Sequence, residues 1–228
     1  QQARKYYAAN VSFIDEQVGR IVAALKARGL YDNSVILFVS DHGDMLGDHH
    51  HWRKTYAYEG SAHVPFIVRY PAGMRARVRR GAVRDEVVEI RDILPTFLDA
   101  AGAAIPEGVD GRSILELIRN PKRVPWRETI DIEHNSCYGP NSGYVALTDG
   151  RWKYIWFYSR GEEQLFDLSA DPYENNDLHH ATEHAETLAA FRRRMARHLA
   201  ERGDRWVSPS GELRILRNVP VHTPNFPK

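Results

Sequence analysis

Ser34-Val35-Ile36-Leu37-Phe38-Val39, running directly into Ser40-Asp41-His42-Gly43, is the stretch on which the fold turns. From Val35 to Val39 every residue is apolar, so the run lacks the alternation of a strand with one wet face. It predicts a strand covered on both sides, as in a parallel sheet. Upstream, Tyr7, Val11, Ile14, Val18, Ile21, Val22 and Leu25 recur at helical spacing, so 5–28 reads as an amphipathic helix closed by Gly29. Helix, short turn, buried strand is an α/β signature. Residues 40–63 then follow the carboxyl end of the strand, where open α/β sheets place their sites.

The 228 residues are 43% hydrophobic and 27% charged, with 31 basic against 30 acidic side chains. This excludes a disordered tail, a collagen-like fibre and a disulfide scaffold. The charge balance offers no reason to expect nucleic acid as a partner. No stretch approaches the roughly 18 to 20 uninterrupted apolar residues of a membrane span, and no signal-peptide core follows Gln1. The single cysteine, Cys137, cannot form an internal disulfide, which leaves the redox compartment open.

Pro65-Phe66-Ile67-Val68-Arg69-Tyr70 predicts a second strand of the same sheet. The arginines of 73–84 suit a solvated loop or edge. A helix is expected over 90–101, capped by Asp92 and closed by Gly102, with a shorter one at 113–119. From Glu128 the texture changes to short strands at 129–133, 143–148, 151–158 and 164–168, with Asp149-Gly150 as a hairpin signal. A last helix is expected over 182–202, burying Leu188, Phe191, Met195 and Leu199, before an extended tail. The expected architecture is α/β, with part of a central sheet over 1–127, a small antiparallel subdomain over 128–206 and the tail over 207–228.

Five of the eleven histidines lie between His42 and His63. A carboxylate beside an imidazole at a strand end suits a divalent cation if a turn at Gly43 makes them converge. Taken alone, the same residues also suit a capping aspartate and a hydrogen-bonded loop histidine. Gly47-Asp48-His49-His50-His51-Trp52-Arg53-Lys54 adds an ammonium able to clamp a tetrahedral oxyanion and histidines able to protonate a leaving oxygen. Exposed loop polarity accounts for them equally well. Tyr58-Glu59-Gly60-Ser61-Ala62-His63-Val64-Pro65 offers Glu59 and His63 as orienting or substrate-contacting groups.

Together, Ser40 to Pro65 resembles the sulfatases of the alkaline phosphatase superfamily, with spacing similar to iduronate sulfatase and bacterial glycosaminoglycan sulfatases. Phe13 to Arg20, Asp92 to Gly102, Asp149 to Ile155, Leu165 to Leu168 and Asp171 to Asn176 extend the resemblance over most of residues 5–200. The resemblance implies an alkaline-phosphatase-like central sheet flanked by helices, with a small C-terminal antiparallel sheet and helix. It implies Asp41 and His42 as metal ligands, Lys54 on the sulfate oxygens, His49 near the leaving group and His63 beside substrate. The cation is usually calcium in sulfatases. Histidine at position 42, where many members carry asparagine, opens the site to manganese or zinc. His63 stands where many relatives carry arginine.

The family's nucleophile motif, Cys/Ser-x-Pro-x-Arg, is absent. Ser136-Cys137-Tyr138-Gly139-Pro140 lacks its spacing and its arginine. No paired aspartates precede Asp41. The resemblance therefore implies the C-terminal part of a sulfuric ester hydrolase, inactive without an upstream half and acting on a sulfated carbohydrate or aryl sulfate. A phosphonate monoester hydrolase or phosphodiesterase of the same superfamily, and a non-catalytic sulfatase-like binding module, are the alternatives. The sulfated substrate, the compartment and the oligomeric state are not legible.

Overall fold

The computed structural model describes residues 1–74, 78–120, 125–136, 141–217 and 219. Arg75, Arg77, Cys137 and the end of the expected tail, residues 218 and 220–228, lie outside the described residues. The chain divides into two compact units. The first holds residues 1–53, 63–84 and 88–125, and the second holds 54–62, 85–87 and 126–228.

The first unit opens with α1 (Gln2–Ala27). It ends as the sequence predicts: Gly29 has φ +67°, and the Leu30 amide donates back to Leu25 O at 2.9 Å, closing the last turn. β1 (Ile36–Val39) then pairs with β2 (Phe66–Arg69), with Phe38 opposite Ile67. The pair is antiparallel, which corrects the expectation of a parallel neighbour. It is also not covered on both faces, since Phe38 is 37% and Ile67 60% exposed. A continuous apolar run encodes burial in an intended environment but not the direction of the neighbouring strand. Among the described residues no element covers that face, and α1 buries none of its residues.

α3 (Ile93–Ala100) follows a 3-10 turn at Ile90–Asp92, and Gly102, at φ +68°, closes it. Asp92 stands at the N-cap of α3 without bonding its amides, and its side chain instead closes a capping box with Glu89 on the 3-10 turn before it. Fully buried, it accepts the Glu89 amide at 2.9 Å and the Arg112 amide at 2.7 Å, tying two loops together. Asp99 plays a similar part, taking Arg119 at 2.7 Å and the Ser113 hydroxyl at 2.5 Å from the loop before α4 (Leu115–Arg119).

The second unit is a four-stranded antiparallel meander, β3 (Ile130–His134), β4 (Tyr144–Thr148), β5 (Trp152–Phe157) and β6 (Glu162–Asp167), in that order. Gly150 takes φ +91° at the first central position of the β4–β5 turn, where a two-residue hairpin needs it. Asp149 stands just before it and accepts the Arg151 and Trp152 amides at 3.0 and 2.7 Å. One sheet face packs on α5 (Ala185–Ala200) through Val145, Leu147, Tyr154 and Leu165 against Leu188, Phe191, Met195 and Leu199. The opposite face holds Tyr144, Ala146, Ile155 and Phe166 around Ala57, on the segment that ends in the short helix α2 (Glu59–Ala62). Leu216 folds back into the α5 side of this core, its amide donating to Tyr158 O at 2.7 Å. No described helix is long and apolar enough to cross a membrane.

Candidate active site

The loop leaving β1 organises itself around its own polar groups. The Ser40 hydroxyl donates to His42 O at 2.8 Å, and the His42 amide donates to Asp41 Oδ1 at 3.0 Å. The His42 Nδ1 lies 2.7 Å from Gly43 O. A carbonyl only accepts, so Nδ1 carries a proton and Nε2 is the nitrogen left for a cation. That Nε2 stands 3.5 Å from Asp41 Oδ2. A histidine that ligates a metal characteristically donates its other ring N–H to a carbonyl or carboxylate in this way. Two ligands of one small divalent cation sit about 3 to 3.5 Å apart, as bond lengths near 2.0–2.4 Å require. The donor set and its spacing therefore fit part of a cation site, two ligands of the four or more such an ion takes.

Beyond Gly43 the chain makes a tight excursion. Asp44 Oδ1 accepts the amides of Leu46 and Arg53 at 2.8 and 3.0 Å, and the Met45 amide donates to Arg53 O at 2.8 Å. Met45 is fully buried beneath the loop. Arg4, on α1, holds the rim through Asp48 Oδ1 and Leu46 O, both at 2.8 Å. Leu46, His49, His50, Arg53 and Thr55 all adopt positive φ. For a β-branched residue such as Thr55, at φ +84°, this is a strained conformation. Strain of this kind persists only where surrounding contacts impose it, and it concentrates at functional sites.

Within this excursion His49 is half-buried and His50 exposed. The His51 pKa falls below the ordinary histidine value, first through burial and then through repulsion from His49 and His50. Lys54 begins the second unit with an exposed side chain, and His63, also exposed, lies three residues before the start of β2 in the first. The structure brings Asp41 and His42 together. His49 and His63 lie in the same unit as that pair, and Lys54 lies in the other.

Sequence reasoning missed a buried charge cluster in the second unit. Lys153, on β5, is fully buried and donates to Glu59 Oε1 and Glu174 Oε1, each at 2.7 Å. Glu174 is itself buried, at φ +57°. The available signal was a lysine inside the otherwise aromatic and aliphatic run Trp152 to Phe157. A second donor group joins Asp131, Glu133 and His198, whose ligand atoms lie within 4.8 Å of one another. Arg202 pairs with Glu133, so a protein cation already meets one of the two carboxylates. His198 first, then Arg202, hold the Glu133 carboxyl down to about 2 against the opposing effect of burial.

The family described as N-sulphoglucosamine sulphohydrolase, C-terminal, matches residues 47–201, and a family described as a protein of unknown function matches residues 1–84. An arylsulfatase of Clostridium perfringens is 40% identical over 223 residues, covering 98% of this chain and 45% of that protein. The chain thus spans less than half the length of that relative. BT4656, solved in complex with its substrate D-glucosamine-2-N,6-O-disulfate, superposes with a TM-score of 0.72 at 28% identity over 85% of this chain and 38% of its own. The phosphonate monoester hydrolase SpPMH from Silicibacter pomeroyi superposes with a TM-score of 0.71 at 30% identity over 84% of this chain and 39% of its own. With more than half of its residues inside one family's match, and with that ordered run of motifs, the chain belongs to the sulfatase family of the alkaline phosphatase superfamily, through its N-sulphoglucosamine sulphohydrolase C-terminal region.

Proposed function

We propose that this chain is part of a metal-dependent sulfuric ester hydrolase acting on a sulfated carbohydrate or an aryl sulfate. The observation that carries the reading is the Asp41–His42 pair. Its carboxylate and imidazole lie 3.5 Å apart, with Nδ1 committed to Gly43 O. A divalent cation bound there would withdraw charge from the transferred sulfuryl group. Calcium suits the carboxylate, and the imidazole admits manganese or zinc. The two side chains keep complementary tasks. Asp41 supplies a carboxylate oxygen, and His42 supplies Nε2 on a ring oriented by Gly43 O.

In this reading Lys54 donates to the sulfate oxygens and offsets the charge that builds as the ester bond breaks. His49 protonates the departing oxygen, which avoids expelling an alkoxide. His63 touches the alcohol portion of the substrate. The attacking group and the remaining ligands come from a part of the enzyme outside this chain. That division is supported by the 45% coverage of the clostridial arylsulfatase and by the absence of a Cys/Ser-x-Pro-x-Arg motif. The exposed Phe38 and Ile67 on the β1–β2 pair suit the same partner segment.

A second reading, phosphonate monoester or phosphodiester hydrolysis, is favoured by the likeness to SpPMH, since the same cation-binding pair and ammonium serve a phosphoryl group. Rates of the intact enzyme on an aryl sulfate and on an aryl phosphate diester separate the two. The first reading expects kcat/KM at least about 100-fold higher on the sulfate, and a drop of similar size when Lys54 becomes alanine. The reverse preference would establish the second.

A further inference from the structure

We propose that the buried Lys153–Glu59–Glu174 triad is a positioning device that sets where Lys54 stands. The inference rests on the reading of Lys54 as the sulfate-binding ammonium. All of its parts lie within the second unit, to which residues 54–62 belong.

The segment carrying Lys54 is laid on the meander face opposite α5. Ala57 enters the cluster of Tyr144, Ala146, Ile155 and Phe166. The Tyr58 ring meets Phe166 edge-on at 6.0 Å, and its hydroxyl donates to Gln164 Oε1 at 3.0 Å. Apolar burial holds a segment down but does not by itself fix its register. Register comes from residue 59, which is gripped twice. Its side-chain Oε1 accepts from Lys153 Nζ at 2.7 Å, and its amide donates to Glu174 Oε2 at 2.6 Å. The other oxygen of Glu174 accepts from the same Lys153 at 2.7 Å. One carboxylate thus clamps both the backbone of the segment and the lysine that holds its side chain.

A buried ion triad is weak evidence for stability, because desolvation consumes most of its attraction. Here the burial of Glu174 raises its pKa even though Lys153 pulls the other way, so the charge is held at a cost. Glu174 also sits in the left-handed region, at φ +57°, strained for a non-glycine residue. What these charges do obtain is direction. Three charge-assisted hydrogen bonds meet at a point five residues after Lys54, and the intervening Thr55 is held at φ +84°. A misplacement of about 1 Å at a reacting group can cost about 100-fold in rate.

The test is a double-mutant cycle on the intact enzyme with 4-nitrophenyl sulfate. Its corners are wild type, Lys54→Ala, Glu174→Gln and the combination, with thermal melting and amide hydrogen exchange recorded beside each. Expected are a fall in kcat of about 10-fold or more for Glu174→Gln, faster exchange confined to residues 55–62, and less than about 2-fold further loss in the Lys54→Ala background. An equal loss in both backgrounds would make the triad purely structural and overturn the proposal. A Lys54→Ala enzyme with unchanged turnover would instead remove the reading beneath it, a distinct result visible in that single variant. Should Glu174→Gln fail to fold, Glu59→Gln, whose side chain is partly exposed, carries the same cycle.

Discussion

Replacing Gly143 by alanine should damage the second unit through one contact. An ideal Cβ there falls 1.9 Å from Tyr158 Oη, 2.2 Å from Cζ and 2.7 Å from Cε2. Ordinary contacts need about 3.5 Å, so the phenol must retreat by roughly 1.5 Å. It has little room. Tyr158 is 3% exposed, meets Trp206 edge-on at 5.1 Å and lies 3.2 Å from Asn135 Oδ1, to which its hydroxyl donates. Its own carbonyl anchors Leu216. Overpacking of this kind costs about 1–3 kcal/mol, and losing the buried hydrogen bond adds about 1. The sum of about 2–4 kcal/mol lowers Tm by roughly 5–15 °C for a domain of this size. Urea unfolding at constant m and thermal melting of the intact enzyme read it directly. Shortening the obstacle should relieve it: Gly143→Ala combined with Tyr158→Leu should cost at least about 1 kcal/mol less than the sum of the single changes. A melting point within about 2 °C of wild type, or strict additivity, would refute the reasoning.

Two further outcomes follow from charge and from exposed surface. Glu133 has its carboxyl drawn from 4.5 to about 2, so it contributes stability that is present above pH 4.5 and lost as pH falls toward 2. Its side chain is 33% exposed, and solvent screening leaves about 1–2 kcal/mol of that effect. Glu133→Gln should therefore destabilise the enzyme at pH 6 and flatten the fall in stability between pH 6 and pH 3, as read by urea unfolding. A slope equal to wild type would count against the assignment. Residues 1–228 expressed alone should bind a hydrophobic dye through the apolar face of β1–β2 and show negligible aryl sulfate turnover. Strong turnover or a cooperative, dye-free monomer would contradict this.

The meander was legible from short apolar runs broken by turn residues, and α5 from its helical repeat. Leu188, Phe191, Met195 and Leu199 mark one face of a helix, and the Asp149-Gly150 pair marks the turn that follows β4. The β1–β2 direction was not legible, since an apolar run without alternation carries no trace of which way its neighbour runs. Asp92 does cap, in a box with Glu89 on the 3-10 turn before α3, but its second donor, the Arg112 amide, comes from a distant loop whose approach no local pattern encodes. At the candidate site, the types and spacing of Asp41, His42 and the histidines after them could be read. The ring orientation set by Gly43 O and the strain at Thr55 could not, for both depend on backbone torsions. Lys153 is one charge within an apolar strand, and only folding shows that two carboxylates meet it.

The central claim is that Asp41 and His42 share one cation and that sulfate ester chemistry depends on it. Elemental analysis of the intact enzyme after gel filtration, in wild-type form and with Asp41→Ala and His42→Ala combined, tests it most directly. The account predicts a divalent cation at this site in the wild type, its loss in the double variant, and a parallel fall in aryl sulfate turnover of about 100-fold or more. A double variant that keeps its full metal content and its activity would contradict it.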